Sequence, residues 1–309
     1  MRDPKFIFKM MQSLRILAIP TFCLIVFGCA IPSSVPGSRP APVPPPAKTI
    51  NTSSQKKEIG ESWHISPTNE IHTYSSFLAS TIQQTGISQA RGDSLIIRTE
   101  YSIKFTRVPE TTTFEGAIIA FALQSWGRIL QEQIPQSIFP FIFTGNLTKD
   151  ETHINPGNSA AESTLKTCEN PIQTILAAVQ RNTFTVPLEM RIGLSWRDSL
   201  SSTLCNGTFP TKILSIRNYT VLREDSFHGV PAFFIDRKDK TLSTGEGSQD
   251  QHQITIKTES DGTTKLYEDR ITGSLLSAEV ITLTNISVES SGKIQHFIQN
   301  SKEIVKVMK

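Results

Sequence analysis

A chain of 309 residues with 31 Lys and Arg against 28 Asp and Glu carries a formal charge of +3. Arg2, Lys5, Lys9 and Arg15, offset by Asp3, account for all of that excess, so the chain after residue 28 is formally neutral. No basic stripe remains to track phosphates, which excludes nucleic acid as the expected partner. With 38% hydrophobic and 19% charged residues and much Ser and Thr, the composition suits an exported β protein.

The positive head is followed by the apolar run "ILAIPTFCLIVF", Ile16 to Phe27. A spanning helix needs roughly 20 apolar residues, so this shorter run, interrupted by Pro20, reads as the core of a signal peptide. It ends in "VFGC", Val26 to Cys29. That tetrapeptide resembles the lipobox of bacterial lipoprotein precursors, with an aliphatic residue at −3 and a small one at −1. The resemblance implies that Cys29 receives a diacylglyceryl group, that cleavage falls just before it, and that the new amine is acylated. Two or more acyl chains hold a protein stably on a bilayer. Ala30 at the position after the cysteine implies, by the same resemblance, the periplasmic face of the outer membrane.

"PSSVPGSRPAPVPPPAKTINTSSQKKEIGES" follows, rich in Pro and Ser and poor in large apolar residues. Such a segment cannot bury enough surface to repay ordering and is extended, at about 3.1 Å per residue. The expected organisation is therefore a signal peptide over 1–28, a lipidated tether over 29–60 and an antiparallel β domain over 61–309. Cys23 leaves with the signal peptide. Cys168 and Cys205 meet an oxidising compartment and are expected to form a disulfide, the alternative being two buried free thiols. Closing a loop of nearly 40 residues stabilises by roughly 3–4 kcal/mol in the chain-entropy model.

In the domain, "IHTYSSFLASTIQQ" places Tyr74, Ser76, Leu78, Ser80 and Ile82 on one face. "SLIIRTEYSIKFTRV" does the same with Ile97, Thr99, Tyr101, Ile103 and Phe105. The two read as a hairpin about "GISQARGD". "FEGAIIAFALQSWGRILQEQI" fits a strand through Ile119, Phe121 and Leu123, or a helix through Ile118, Ala122, Trp126 and Ile129. A strand to about Leu123 is preferred. "SIFPFIFTGNLT" reads as a strand with Pro140 at an edge or end. Asn170 and Pro171 begin the one clear helix, whose apolar stripe is Ile172, Ile175, Leu176 and Val179 and whose terminator is Asn182. A meander of strands follows, with turns expected at "REDSFHG", at Asp261-Gly262 and at Ser291-Gly292. "TGEGS", Thr244 to Ser248, reads as a mobile loop.

The fold class is mainly β: a curved antiparallel sheet of roughly ten strands, a half-barrel, with one central helix packed on it. The order of strands, a helical connection, then a longer meander is similar to bacterial lipoprotein-localisation carriers and related envelope lipoproteins. That resemblance implies a concave face that holds acyl chains or another hydrophobic ligand beneath the helix. The Ile, Phe and Leu residues of both strand groups fit either the lining of such a cavity or a filled core.

Catalytic patterns are thin. His64, His72, His153, His228, His252 and His296 include no i, i+4 pair, and no HExxH occurs. Ser163 and Lys166 match S-x-x-K, as do Ser53 and Lys56 in the tether, without the S-D-N and K-T-G elements that accompany it in serine enzymes. Arg91-Gly92-Asp93 reads as a charged turn rather than an adhesion tripeptide. In "DRKDK" the basic residues between Asp236 and Asp239 oppose calcium. Trp196 is expected in the core. No enzyme, cofactor or metal is expected. The expected function is a membrane-anchored binding module for a hydrophobic ligand or lipidated protein. The alternative is an interaction lipoprotein with a filled core, acting on another envelope protein.

Overall fold

The computed structural model describes residues 62–66, 68–86, 93–108, 111–125, 128–129, 139–148, 152–156, 172–206, 209–249 and 252–308. Cys29, Cys168, Ser163, Lys166, Asn170, Pro171, Arg91 and Gly92 lie outside these residues, as do the signal-peptide and tether segments. Cys205 is placed by its backbone alone, opposite Pro210; the expected disulfide therefore falls outside what is described.

Among the described residues the order is β1 (Trp63–His64), β2 (Ile71–Gln84), β3 (Asp93–Val108), β4 (Thr111–Ser125), β5 (Arg128–Ile129), β6 (Phe141–Leu147), β7 (Thr152–Pro156), α1 (Ile172–Asn182), β8 (Glu189–Met190), β9 (Ser195–Asn206), β10 (Phe209–Phe227), β11 (Val230–Gln249), β12 (His252–Asp269), β13 (Leu275–Ser290) and β14 (Lys293–Val307). β1 pairs with β8. The other strands form one 12-stranded sheet in the order β7-β6-β4-β3-β2-β14-β13-β12-β11-β10-β9, with β5 beside β4. Every pairing is antiparallel.

Two meanders, β2 to β7 and β9 to β14, are joined where β14 pairs with β2. β7 and β9 are thus the sheet's edges. They curve toward each other, so the sheet is barrel-like and nearly closed, and α1, which links the meanders, packs against β9, β7 and β3. The mainly-β architecture with a single short helix is the expected one, with more strands and a fuller closure than a half-barrel.

Alternation explains most of it. Tyr74, Ser76, Leu78, Ser80 and Ile82 on β2 are buried, as are Ile97, Thr99, Tyr101 and Ile103 on β3. The ambiguity around Ile118 has a structural cause. Phe114 and Ile118 face inward at even positions, and Phe121 and Leu123 face inward at odd ones. The ladder to β3 shifts register between Glu100 and Tyr101, whose partners are Ala120 and Ile118. Ile119 is the extra residue and is 44% exposed. A bulge that inserts one residue switches the phase of alternation, and the switch mimics a helical spacing. Where Gly116 faces Phe143 and Gly145 faces Phe114 across β4 and β6, each ring covers its partner glycine closely enough that a Cβ has no room.

Three turn readings are corrected or refined. Asp261-Gly262 is no hairpin: β12 runs through it, with Gly262 between Asp239 of β11 and Thr282 of β13. A Cβ on Gly262 would lie 3.1 Å from the Asp239 Cβ, so this glycine provides space rather than a turn. Thr244 to Ser248 is no loop but part of β11, paired with β12. The first turn of the meander is tighter than expected, at His228 (φ 51°) and Gly229 (φ 84°). Ser291 (φ 51°) and Gly292 (φ 75°) form the expected two-residue turn. Positive φ at both central residues matches the right-handed twist of the flanking strands.

Candidate functional site

The concave face of the second meander can be followed in rows across the ladder. Val221, Ile235, Leu266, Ala278 and Val305 make one row, all buried. The next is Tyr219, Arg237, Thr264, Val280, Glu303 and Leu78. Then come Arg217, Asp239, Gly262, Thr282, Ser301 and Ser80, and beyond them Ser215, Thr241, Ser260, Thr284 and Gln299. At the far end Ile82, Ile256, Ile286, Val288 and Phe297 form a small apolar cluster. The main core occupies the near end, where Leu176 and Val179 of α1 pack with Tyr74, Tyr101, Phe184 and Phe233. A polar belt thus lies between two apolar clusters. Most of the buried Ile, Phe and Leu side chains pack in these two clusters, while Leu78, Leu200 and Ile213 also border open space between them.

The belt is knitted together. Arg217 donates from Nε and Nη2 to Asp198 Oδ1 and Oδ2 at 2.6 and 2.8 Å. Both side chains are 2% exposed. Arg217 Nη1 reaches the Thr183 carbonyl at 3.1 Å, and the Tyr219 hydroxyl donates to Asp198 at 3.2 Å. Arg237 donates from Nη2 to Asp239 Oδ2 at 2.9 Å, and Thr264 donates to the same oxygen at 3.3 Å. Glu303 gathers Ser76 at 2.7 Å, Asn182 at 3.0 Å and Arg181 at 3.3 Å, tying α1 to β2 and β14. Hydroxyl pairs continue across strands: Thr241 to Ser215 at 2.8 Å, Ser243 with Thr258 at 2.6 Å, and Ser260 with Thr284 at 2.8 Å. Gln299 Nε2 donates to Ser80 at 2.7 Å. Such mutual satisfaction is what polar groups away from water require.

The electrostatics follow from burial. Burial raises the Tyr219 phenol above its ordinary value, while Arg217 and Arg237 pull it part of the way back. Burial lowers the Arg237 guanidinium, but Asp239, Tyr219 and Asp198 raise it by more in sum, and it stays charged. The Tyr101 phenol is raised by burial, then by Tyr74 and Glu303.

Between belt and helix lies a cleft of about 170 Å³. Ala177, Gln180, Arg181 and Asn182 of α1 cover it, and Ser202, Gly262, Thr282, Ser301 and Glu303 are among its walls. The sequence reading expected a ligand beneath this helix but named none of these polar residues as its site. The signal was available in the phase of alternation: Arg217 shares its face with Tyr219 and Val221, and Glu303 shares its face with Val305. A charged residue on the inward phase of a long strand marks a buried charge.

The other candidates are scattered. Trp196 stacks on Tyr219 with centroids 4.7 Å apart and donates from Nε1 to the Thr185 carbonyl at 2.9 Å. It is half-buried and packs against the core, as expected. His72 Nε2 meets Ser274 Oγ at 3.0 Å, and His252 Nδ1 meets Ser291 Oγ at 2.7 Å, on separate strands. Asp236 and Asp239 point to opposite faces of β11. Among the described residues no three His, Cys, Asp or Glu side chains gather in metal-binding geometry, and no helix is long and apolar enough to cross a membrane.

Fold and cleft together define a class, a nearly closed antiparallel β barrel-like body with a polar belt across its apolar interior, beneath one helix. No protein-family model matches the chain, and no curated protein matches it.

Proposed function

We propose that this chain is a non-catalytic binding module of the bacterial cell envelope, held by lipid on Cys29 at the periplasmic face of the outer membrane. Its ligand enters the cleft beneath the C-terminal end of α1. The observation that carries this reading is the cleft itself, about 170 Å³ left open on the concave side of the sheet. Binding without catalysis is supported by the state of the charges. Asp198, Asp239 and Glu303 are each held by a guanidinium and further donors, so none is poised as a general base.

The lining sets terms for the ligand. A bare acyl chain would pack on Leu78, Leu200, Ile213 and Val280 but would desolvate Thr282, Ser301 and the Arg237–Asp239 pair with no hydrogen bond in return. The hydrophobic ligand or lipidated protein expected from the sequence has these apolar walls to pack on, and it matches the belt when it also presents a polar part.

The test uses the full chain expressed in a bacterium. The Cys29 protein should sediment with membranes and show an acylated mass beginning at Cys29, and Cys29→Ala should be released. An unmodified thiol at Cys29 would remove the anchor. Native mass spectrometry of gently purified protein should reveal a bound small molecule that a bulky Gly262→Leu change displaces. A cleft that takes up nothing would leave the interaction role through the outer surface.

A further inference from the structure

We infer that the cleft binds a small, uncharged, polyhydroxylated molecule, a sugar or polyol. This rests on the reading of the cleft as a ligand site and adds the ligand's class. Three guanidinium groups and two carboxylates border it, and each is already paired: Arg237 with Asp239, Arg181 with Glu303, and Arg217 with Asp198, which lies behind the wall. No charge is left over to recognise an ion. A charged ligand would have to break a pair, leaving an uncompensated buried charge.

What the walls do leave over is hydroxyl groups, set among the apolar side chains of Leu78, Leu200, Ile213 and Val280, against which the C–H faces of a sugar or polyol can lie. Thr282 and Ser301 are cross-strand partners that both border the cleft. Ser202 borders it from β9. Among the described residues these three hydroxyls have no hydrogen-bond partner in the protein, unlike Ser215, Thr241, Ser243, Thr258, Ser260 and Thr284. Each can donate and accept, and Gly262 beside Thr282 adds no side chain to the wall. Neutral hydroxyls on a ligand match that set: they satisfy it without competing for the ion pairs.

The experiment uses the full-length lipidated chain in nanodiscs. Glucose, N-acetylglucosamine and sorbitol are titrated by calorimetry and by saturation-transfer NMR, beside glucose 6-phosphate and a fluorescent fatty acid. At least one neutral probe should bind. Binding should weaken about tenfold in Thr282→Val/Ser301→Ala, the loss of two hydrogen bonds, and stay unchanged in Thr263→Val, which alters the outer face of β12. Ser202→Ala gives a second, independent route on another strand should the double variant fail to fold; weakening there supports the inference as well. Neutral binding untouched by these cleft changes overturns the inference. Binding of only the phosphate or the fatty acid at the cleft overturns the ligand class and leaves the cleft reading standing. No binding of any probe overturns both.

Discussion

Asp198 accepts from two nitrogens of Arg217 and from the Tyr219 hydroxyl, all out of water. Removing one member of such a pair strands the other. Asp198→Ala is expected to destabilise the protein by about 3–5 kcal/mol, read as a lower urea midpoint. Lys240→Ala, which breaks the exposed pair with Glu259, should leave that midpoint unmoved, because water and salt screen surface pairs. The tyrosines give a pH prediction. Burial raises the phenols of Tyr74, Tyr101 and Tyr219. The folded protein therefore holds these protons more tightly than the unfolded chain. Their contribution to stability is complete below the unfolded value near pH ~10 and falls as pH rises above it. Three of the four tyrosines in the chain should show no phenolate absorbance until the protein unfolds at alkaline pH. Ordinary titration of all four in the folded state would contradict their burial.

At the scale of the element, the bulge in β4 sets which residues face inward. Ile119 is the inserted residue, and deleting it reconnects Ile118 to Ala120 and keeps Phe121 and Leu123 on the inner face. β2 and β3 pair without a register shift. Deleting Ser102 from β3 moves part of the strand out of phase, sending Tyr101 and Ile103 to opposite faces. The expected outcome is that the Ile119 deletion retains a cooperative thermal transition by circular dichroism and the Ser102 deletion does not. Loss of folding in both would mean that the bend at the bulge, and not the phase, is what the sheet requires.

At the scale of the whole molecule, Glu303 is where the parts meet. One carboxylate bonds Ser76 of β2, Asn182 and Arg181 of α1, and belongs to β14. It therefore couples the first meander, the second and the helix between them. Glu303→Ala should cost roughly 1.5–3 kcal/mol, the range for hydrogen bonds to a charged group. Hydrogen exchange should locate the effect: amides of α1 exchange faster, while β10 to β12, far along the ladder, keep their protection. Equal acceleration everywhere would show that the helix and sheet open only together.

How much of this was legible in the sequence depends on the range of the interaction. Alternation on β2 and β3, the turn at Ser291-Gly292, the packing of Trp196 against the core and the mainly-β class all follow from local periodicity and turn chemistry. Asp261-Gly262 misled for a reason outside the local window. The glycine serves the space of Asp239 on the neighbouring strand, and β11 and β12 are 20 and 18 residues long, well beyond the usual strand. The belt was readable only as polar residues on the inward phase, without their partners. Asp198 finds Arg217, and Glu303 finds Ser76 and Asn182, through cross-strand register and the return of β14 to β2. The sequence by itself determined which side of regularly alternating strands such as β2 and β3 is buried, because side chains alternate with a period of two, whereas the phase switch at Ile119 of β4 emerged only from its pairing with β3. Only the tertiary structure decided that the buried charges and hydroxyls form one belt around a cleft, because pairing across more than a hundred residues is fixed by closure of the sheet.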